Sequence, residues 1–256
     1  MIITPARGNA RDDPGSADSL DGGSPRPHLK RVGVTVSCPR CAAQVRPPDL
    51  MHSEWRCDSC GDVSPFHVAE HIGPEILDSV RLRPAPTVDH MPLWCPWPLP
   101  PSWMVTGVGW AGDERSGVRA TALSCSGPDP LGGGPADLVL IAEQPGVGLG
   151  TRFAGIPGID PGYLIAEALG EHDPGHAGPH AKIVVSGHPT PLWCVKSPGD
   201  RSAYVSEAKG MWLYAVAWPA SAGYFLAEHV VLYDLSDGLP PELVYGAPSP
   251  YLHGKA

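Results

Sequence analysis

Positive charge is what this sequence has least of: 18 Lys and Arg stand against 27 Asp and Glu, for a formal net charge of −9. The deficit is unevenly placed. Residues 1–65 hold 8 groups of each sign, whereas residues 66–256 hold 10 basic against 19 acidic. Such a domain repels a phosphate backbone unless a local basic patch reverses its field, and the sequence has no such patch. Long apolar runs are also missing: Met211–Pro219, among the longest, falls far short of the roughly 20 residues a membrane-spanning helix needs. No apolar leader follows the start, because Met1–Asp21 turns polar within four residues. The expectation is a cytoplasmic protein with no membrane partner.

What the sequence has in quantity is turn formers, 31 Gly and 32 Pro, spread through apolar runs. That pattern predicts many short strands joined by tight turns. Residues 1–31 are polar and predict a disordered tail. A cysteine-bearing module occupies 32–65 and a connector 66–90, in which Val68–Ile72 and Ile76-Leu77 suggest a short helix interrupted at Gly73-Pro74. A main domain spans 91–250, and 251–256 reads as a second tail. Strands are expected at Trp103–Val108, Val118–Cys125, Leu138–Glu143, Lys182–Ser186, Leu192–Val195, Ala203–Glu207, Met211–Trp218 and Val230–Leu235. Helices are expected at Gly162–Leu169 and Ala220–Glu228. Strands this close together leave no room for crossover helices, so pairing is mostly antiparallel and the fold class is α+β.

Seven cysteines include two close pairs, Cys38-Pro39-Arg40-Cys41 and Cys57-Asp58-Ser59-Cys60, fifteen residues apart. Two residues between thiolates let one tight turn aim both sulfurs at one ion, and backbone N–H groups of that turn then share the thiolate charge. Gly61 follows the second pair at a position that favours a left-handed backbone; Ala42, after the first, is the less usual choice. The intervening residues suit a hairpin turning at Pro47-Pro48-Asp49. The module therefore reads as an N-terminal zinc ribbon in which Cys38, Cys41, Cys57 and Cys60 hold one structural zinc ion, with iron as the other metal this ligand set suits. A ribbon so small has little core, so the metal supplies on the order of 10 kcal/mol of its folding free energy.

Other chemistry is weaker. Gly107, Gly109 and Gly112 match a dinucleotide fingerprint in spacing but are followed by a strand pattern, so a hairpin turn explains them better. Gly146, Gly148 and Gly150, with Arg152 behind them, read as a turn or as a backbone cradle for an anion. Asp113, Glu114 and Arg115 are a solvated turn or, with Arg152, an acid–base cluster. His172, His176 and His180 are spaced by four in a segment whose Pro and Gly forbid a helix. Cys95, Cys125 and Cys194 read as inert buried thiols. The tryptophans read as core, or as an aromatic groove for a ligand or peptide.

The stretches WCPWPLPPSW (94–103), GDERSGVRATALSCSGPDPLGG (112–133), GVGLGTRFAG (146–155) and KGMWLYAVAWP (209–219) resemble an uncharacterised actinobacterial family with an N-terminal zinc ribbon and a C-terminal domain of unknown function. The resemblance covers the chain from about residue 36. Some members of that family carry the label phosphotransacetylase, which strands packed this closely do not support, and no catalytic residues carry over. The leading expectation is a non-enzymatic, regulatory module for a small-molecule ligand or protein partner. The alternatives are an enzyme for a small anionic substrate with Asp113, Glu114, Arg115 and Arg152 in one cleft, and a nucleic-acid-binding ribbon.

Overall fold

Residues whose side chains alternate between two buried faces read as continuous apolar runs, and the centre of this protein is built from such runs. The computed structural model describes residues 33–168, 179–227 and 230–253, all within one compact unit. In chain order the strands are β1 (Val34–Ser37), β2 (Arg56–Cys57), β3 (Gly61–Asp62), β4 (Phe66–Ala69), β5 (Trp94–Pro96), β6 (Met104–Asp113), β7 (Gly117–Pro128), β8 (Pro135–Glu143), β9 (Ala181–Val185), β10 (His188–Val195), β11 (Ser202–Ala208), β12 (Met211–Trp218) and β13 (Val231–Asp234). The helices are α1 (Pro74–Arg81), α2 (Leu149–Ala154) and α3 (Gly162–Ala168), with a 3-10 helix at Ala220–Ala227.

Eleven strands form one sheet in the order β1-β4-β6-β7-β8-β12-β11-β10-β9-β13-β5, antiparallel throughout except for the β13–β9 pair. In β12, Leu213, Ala215 and Ala217 face one apolar cluster while Tyr214, Val216 and Trp218 face another. Leu138 and Leu140 of β8 divide from Val139 and Ile141 in the same way. The first face is covered by α1, β5 and the 3-10 helix; the second by α2 and the C-terminal residues around Leu252. β10 pairs with β9 over 188–192 and with β11 over 193–195. Pro189 and Pro191 lie in the first half, where the missing N–H groups bar pairing on both sides. There the sheet divides, and β9, β13 and β5 fold back over the first face.

All eight expected strands are present, so the mostly antiparallel sheet of an α+β fold is observed. β10 begins four residues early because its prolines, read as breakers, sit where one side of the strand is unpaired. Five of the thirteen strands, β1 to β5, lie outside those eight. Phe66–Ala69, within the supposed connector, is strand β4 and pairs with β6. Gly73-Pro74 does not interrupt a helix but starts α1, with Pro74 in the first turn, where its missing N–H costs nothing. Gly107, Gly109 and Gly112 lie inside β6 rather than in a hairpin turn, which falls at Glu114–Ser116. At Gly109 a Cβ would stand 2.8 Å from the His67 carbonyl and the Phe66 ring, so the glycine admits β4. The C-terminal residues are no loose tail as far as His253: Leu252 is buried and Tyr251 stacks on Trp218 at 4.7 Å. Leu169, His172, His176, Glu228 and the tail expected at 1–31 lie outside the described residues. Among the described residues no helix is long and apolar enough to cross a membrane.

Candidate metal centre and its seat

The cysteine module folds around hairpin backbone. Arg46 and Arg56 exchange hydrogen bonds, β2 pairs with β3, and Asp49 Oδ1 accepts the N–H groups of Met51 and His52 at the turn between them. The first knuckle closes through Cys38 N–H to Ala43 O (2.7 Å) and Ala42 N–H to Cys38 O (3.0 Å). Ala42 and Gly61 both adopt the left-handed backbone, φ 61° and 75°, so the two knuckles have the same shape although only one has glycine there. Apart from Val45 and the edges of Trp55 and Val63, little apolar material holds the module together.

The sulfurs of Cys38, Cys41, Cys57 and Cys60 all lie within 4.8 Å of one another, a group that could hold one metal ion. Cys41 and Cys57 sulfurs are 3.5 Å apart, and all four cysteines are free of disulfides. Burial raises the Cys57 thiol, but the N–H groups of Ser59 and Cys60 and the neighbouring sulfurs outweigh it, bringing the thiol down to about 7. Burial and then the sulfurs of Cys41 and Cys38 push Cys60 up to about 12. Four thiolates this close repel one another, so full ionisation calls for a cation among them. The donor set therefore fits a thiophilic metal.

Two arginines seat this centre on the sheet. Arg40, between the first two cysteines, donates to Gly146 O (2.9 Å), Val147 O (3.2 Å) and Cys60 O (3.3 Å). Arg152, on α2, donates from Nη1 to Cys38 O at 3.1 Å and lies over the Phe66 and Phe153 rings at 5.1 and 4.6 Å. Burial brings its guanidinium down to about 10, and the sulfurs of Cys38 and Cys41 oppose that fall. Trp55 meets His67 edge-on, and His67 stacks on Trp110 at 5.1 Å.

The loop that receives Arg40 is itself fixed by carboxylates. Glu143, fully buried at the end of β8, accepts the N–H groups of Leu149 (2.8 Å) and Gly150 (3.1 Å) through Oε2. Asp160 accepts Gly146 N–H at 2.8 Å. The glycine run does wrap anions with its backbone, and these are carboxylates of the chain's own. Burial raises Glu143 to about 7 against the pull of those N–H groups. Neither acid was singled out in the sequence; a lone Glu ending the apolar run LVLIAE was the available signal.

The proposed acid–base cluster does not assemble. Asp113 Oδ1 accepts Arg115 N–H, Ser116 N–H and Ser116 Oγ, capping its own turn. Glu114 is exposed, Arg115 pairs with Glu54 of the cysteine module, and Arg152 lies beneath the first knuckle. Arg46 and Arg56 face Asp58 and Asp62, which cancels much of the cysteine module's basic character. Two cavities stand out. One, of about 550 Å³, lies between the β1–β4 ledge, Arg152 and the C-terminal turn. Another, of about 380 Å³, is walled by Trp97, Trp103, Phe225 and prolines.

No curated protein and no solved structure matches the chain. A family model matches residues 32–252, from the first strand to the buried C-terminal turn, and on that match the chain belongs to the family of unknown function DUF6758.

Proposed function

We propose that Cys38, Cys41, Cys57 and Cys60 bind one structural zinc ion, and that the protein is a non-enzymatic binding module whose zinc ribbon is locked against its sheet domain. The observation that carries this reading is the mutual proximity of the four sulfurs, within 4.8 Å. An ideal tetrahedron with zinc–sulfur bonds of about 2.3 Å places sulfurs about 3.8 Å apart, so little adjustment is needed. Four thiolates complete the coordination of zinc and leave no position for water or substrate, which makes the ion structural. A fixed ribbon beside a cavity of about 550 Å³ suits recognition of a small-molecule ligand or a protein partner. The scattering of Asp113, Glu114, Arg115 and Arg152 speaks against a cleft for catalysis, and the paired ribbon arginines speak against nucleic acid.

Elemental analysis of the purified protein tests the reading. One zinc per chain is expected, lost in Cys57→Ser together with the ribbon's fold. Cobalt exchange should give the intense visible bands of a four-thiolate site. Iron with visible charge-transfer bands would replace zinc by iron, and Cys57→Ser retaining one zinc per chain would overturn the assignment.

A further inference from the structure

The larger cavity has a polarity along its length. Its floor is the stretch of the second sheet face formed by two paired strands: Ser37 opposite Phe66, then Thr35 opposite Val68, with Glu70 following opposite Gly33. Arg152 lies over Phe66 at one end. Glu70 lies four residues further along, about 13 Å at strand rise. Between them the walls are apolar, from Val68 to Leu252 and the C-terminal prolines. His253 closes the far side, its ring nitrogens 2.8 Å from the Ser249 carbonyl and 3.1 Å from the Ala69 carbonyl. A guanidinium carries five N–H donors. Among the described residues Arg152 makes one hydrogen bond, to Cys38 O. The volume of about 550 Å³ lies in the range of small-ligand sites.

We propose that this cavity binds a small organic carboxylate with an apolar body, its carboxylate on Arg152 and its chain along Phe66 and Val68 toward Glu70. The orientation follows from charge: Glu70 repels an anion at its end, and Arg152 attracts one at the other. A planar carboxylate matches the guanidinium fork, and the span accommodates roughly six to eight carbons. The inference rests on the binding-module reading and names its ligand class.

Calorimetric titration of the full-length, metal-loaded protein with octanoate, octan-1-ol and inorganic phosphate tests it. Octanoate should bind at least about tenfold more tightly than either comparison ligand, in keeping with a charged hydrogen bond on an apolar contact. Arg152→Gln should abolish that preference. Because Arg152 also seats the knuckle, Thr35→Trp provides a second test on an exposed strand position whose indole would fill the channel. It should weaken octanoate at least about tenfold with thermal stability and metal content unchanged. Equal affinity for octanoate and octan-1-ol, unaltered octanoate binding in Thr35→Trp, or no octanoate binding by protein that retains its metal would each overturn the proposal. Those results would leave Arg152 serving the sulfur cluster alone. Loss of the metal centre itself would be seen separately, in the elemental analysis.

Discussion

Arg152 and Cys38 are 114 residues apart in the chain, yet the Arg152 guanidinium donates to the Cys38 carbonyl at 3.1 Å while its plane rests on two phenylalanine rings. A half-buried cation thus stands behind a group of sulfurs whose ionised forms are anions. The contact joins the first knuckle to α2, and α2 in turn hangs from Glu143. Four-cysteine group, short helix and buried acid form one mechanical chain.

Arg40 provides the parallel link. Replacing it with alanine removes three hydrogen bonds to carbonyls, two of them on the loop after β8. Arg40→Ala should lower thermal stability by about 2–3 kcal/mol, given typical values for bonds from charged donors. It should also speed transfer of zinc to a chromogenic chelator. Unchanged release would separate the metal site from its seat.

Glu143 makes stability depend on pH in a defined direction. Its folded value of about 7 lies above the ordinary 4.5, so the native state holds a proton that the unfolded chain gives up. The associated stability is fully present below about pH 4.5 and lost as pH rises toward 7, an effect of about 3 kcal/mol at most. Glu143→Gln keeps an acceptor for the Leu149 and Gly150 N–H groups without the ionisation. Urea titrations at pH 5.5 and pH 8 should show the wild type losing stability between them and the variant losing much less.

Gly150 lies against the ring of Tyr214, where any Cβ would overlap it. Gly150→Ala should cost about 2 kcal/mol or more through overpacking. In Tyr214→Ala the same change should cost little, so the double variant should be less destabilised than the sum of the singles. Equilibrium denaturation of the four proteins measures this coupling, and additivity would place the two residues apart.

The central sheet was legible because its strands are long apolar runs broken by Gly and Pro, and Met211–Trp218 coincides with β12. The four cysteines were legible because paired spacing is specific. Less visible was whatever long-range contact alone decides. β1 and β4 are four residues each, too short to stand out as strands, so their membership of the sheet comes from β1 pairing with β4 and β4 with β6. The glycines of β6 look like a turn because sequence spacing cannot show that Phe66 and His67 lie against them. Glu143 looks like an ordinary acid at a strand end, and only the fold closes α2 over it. Arg40, between two of the cysteines, looks like an ordinary surface charge, whereas two of its partners are carbonyls a hundred residues away.

The prolines at the end of the large sheet have a bearing on self-association. β5 is the outermost strand, three residues long; Pro96 ends it, and Pro98, Pro100 and Pro101 follow. An incoming strand needs a row of amide hydrogens to dock on, and this border supplies few. At this edge the sheet of eleven strands thereby ends without offering a template for fibril growth.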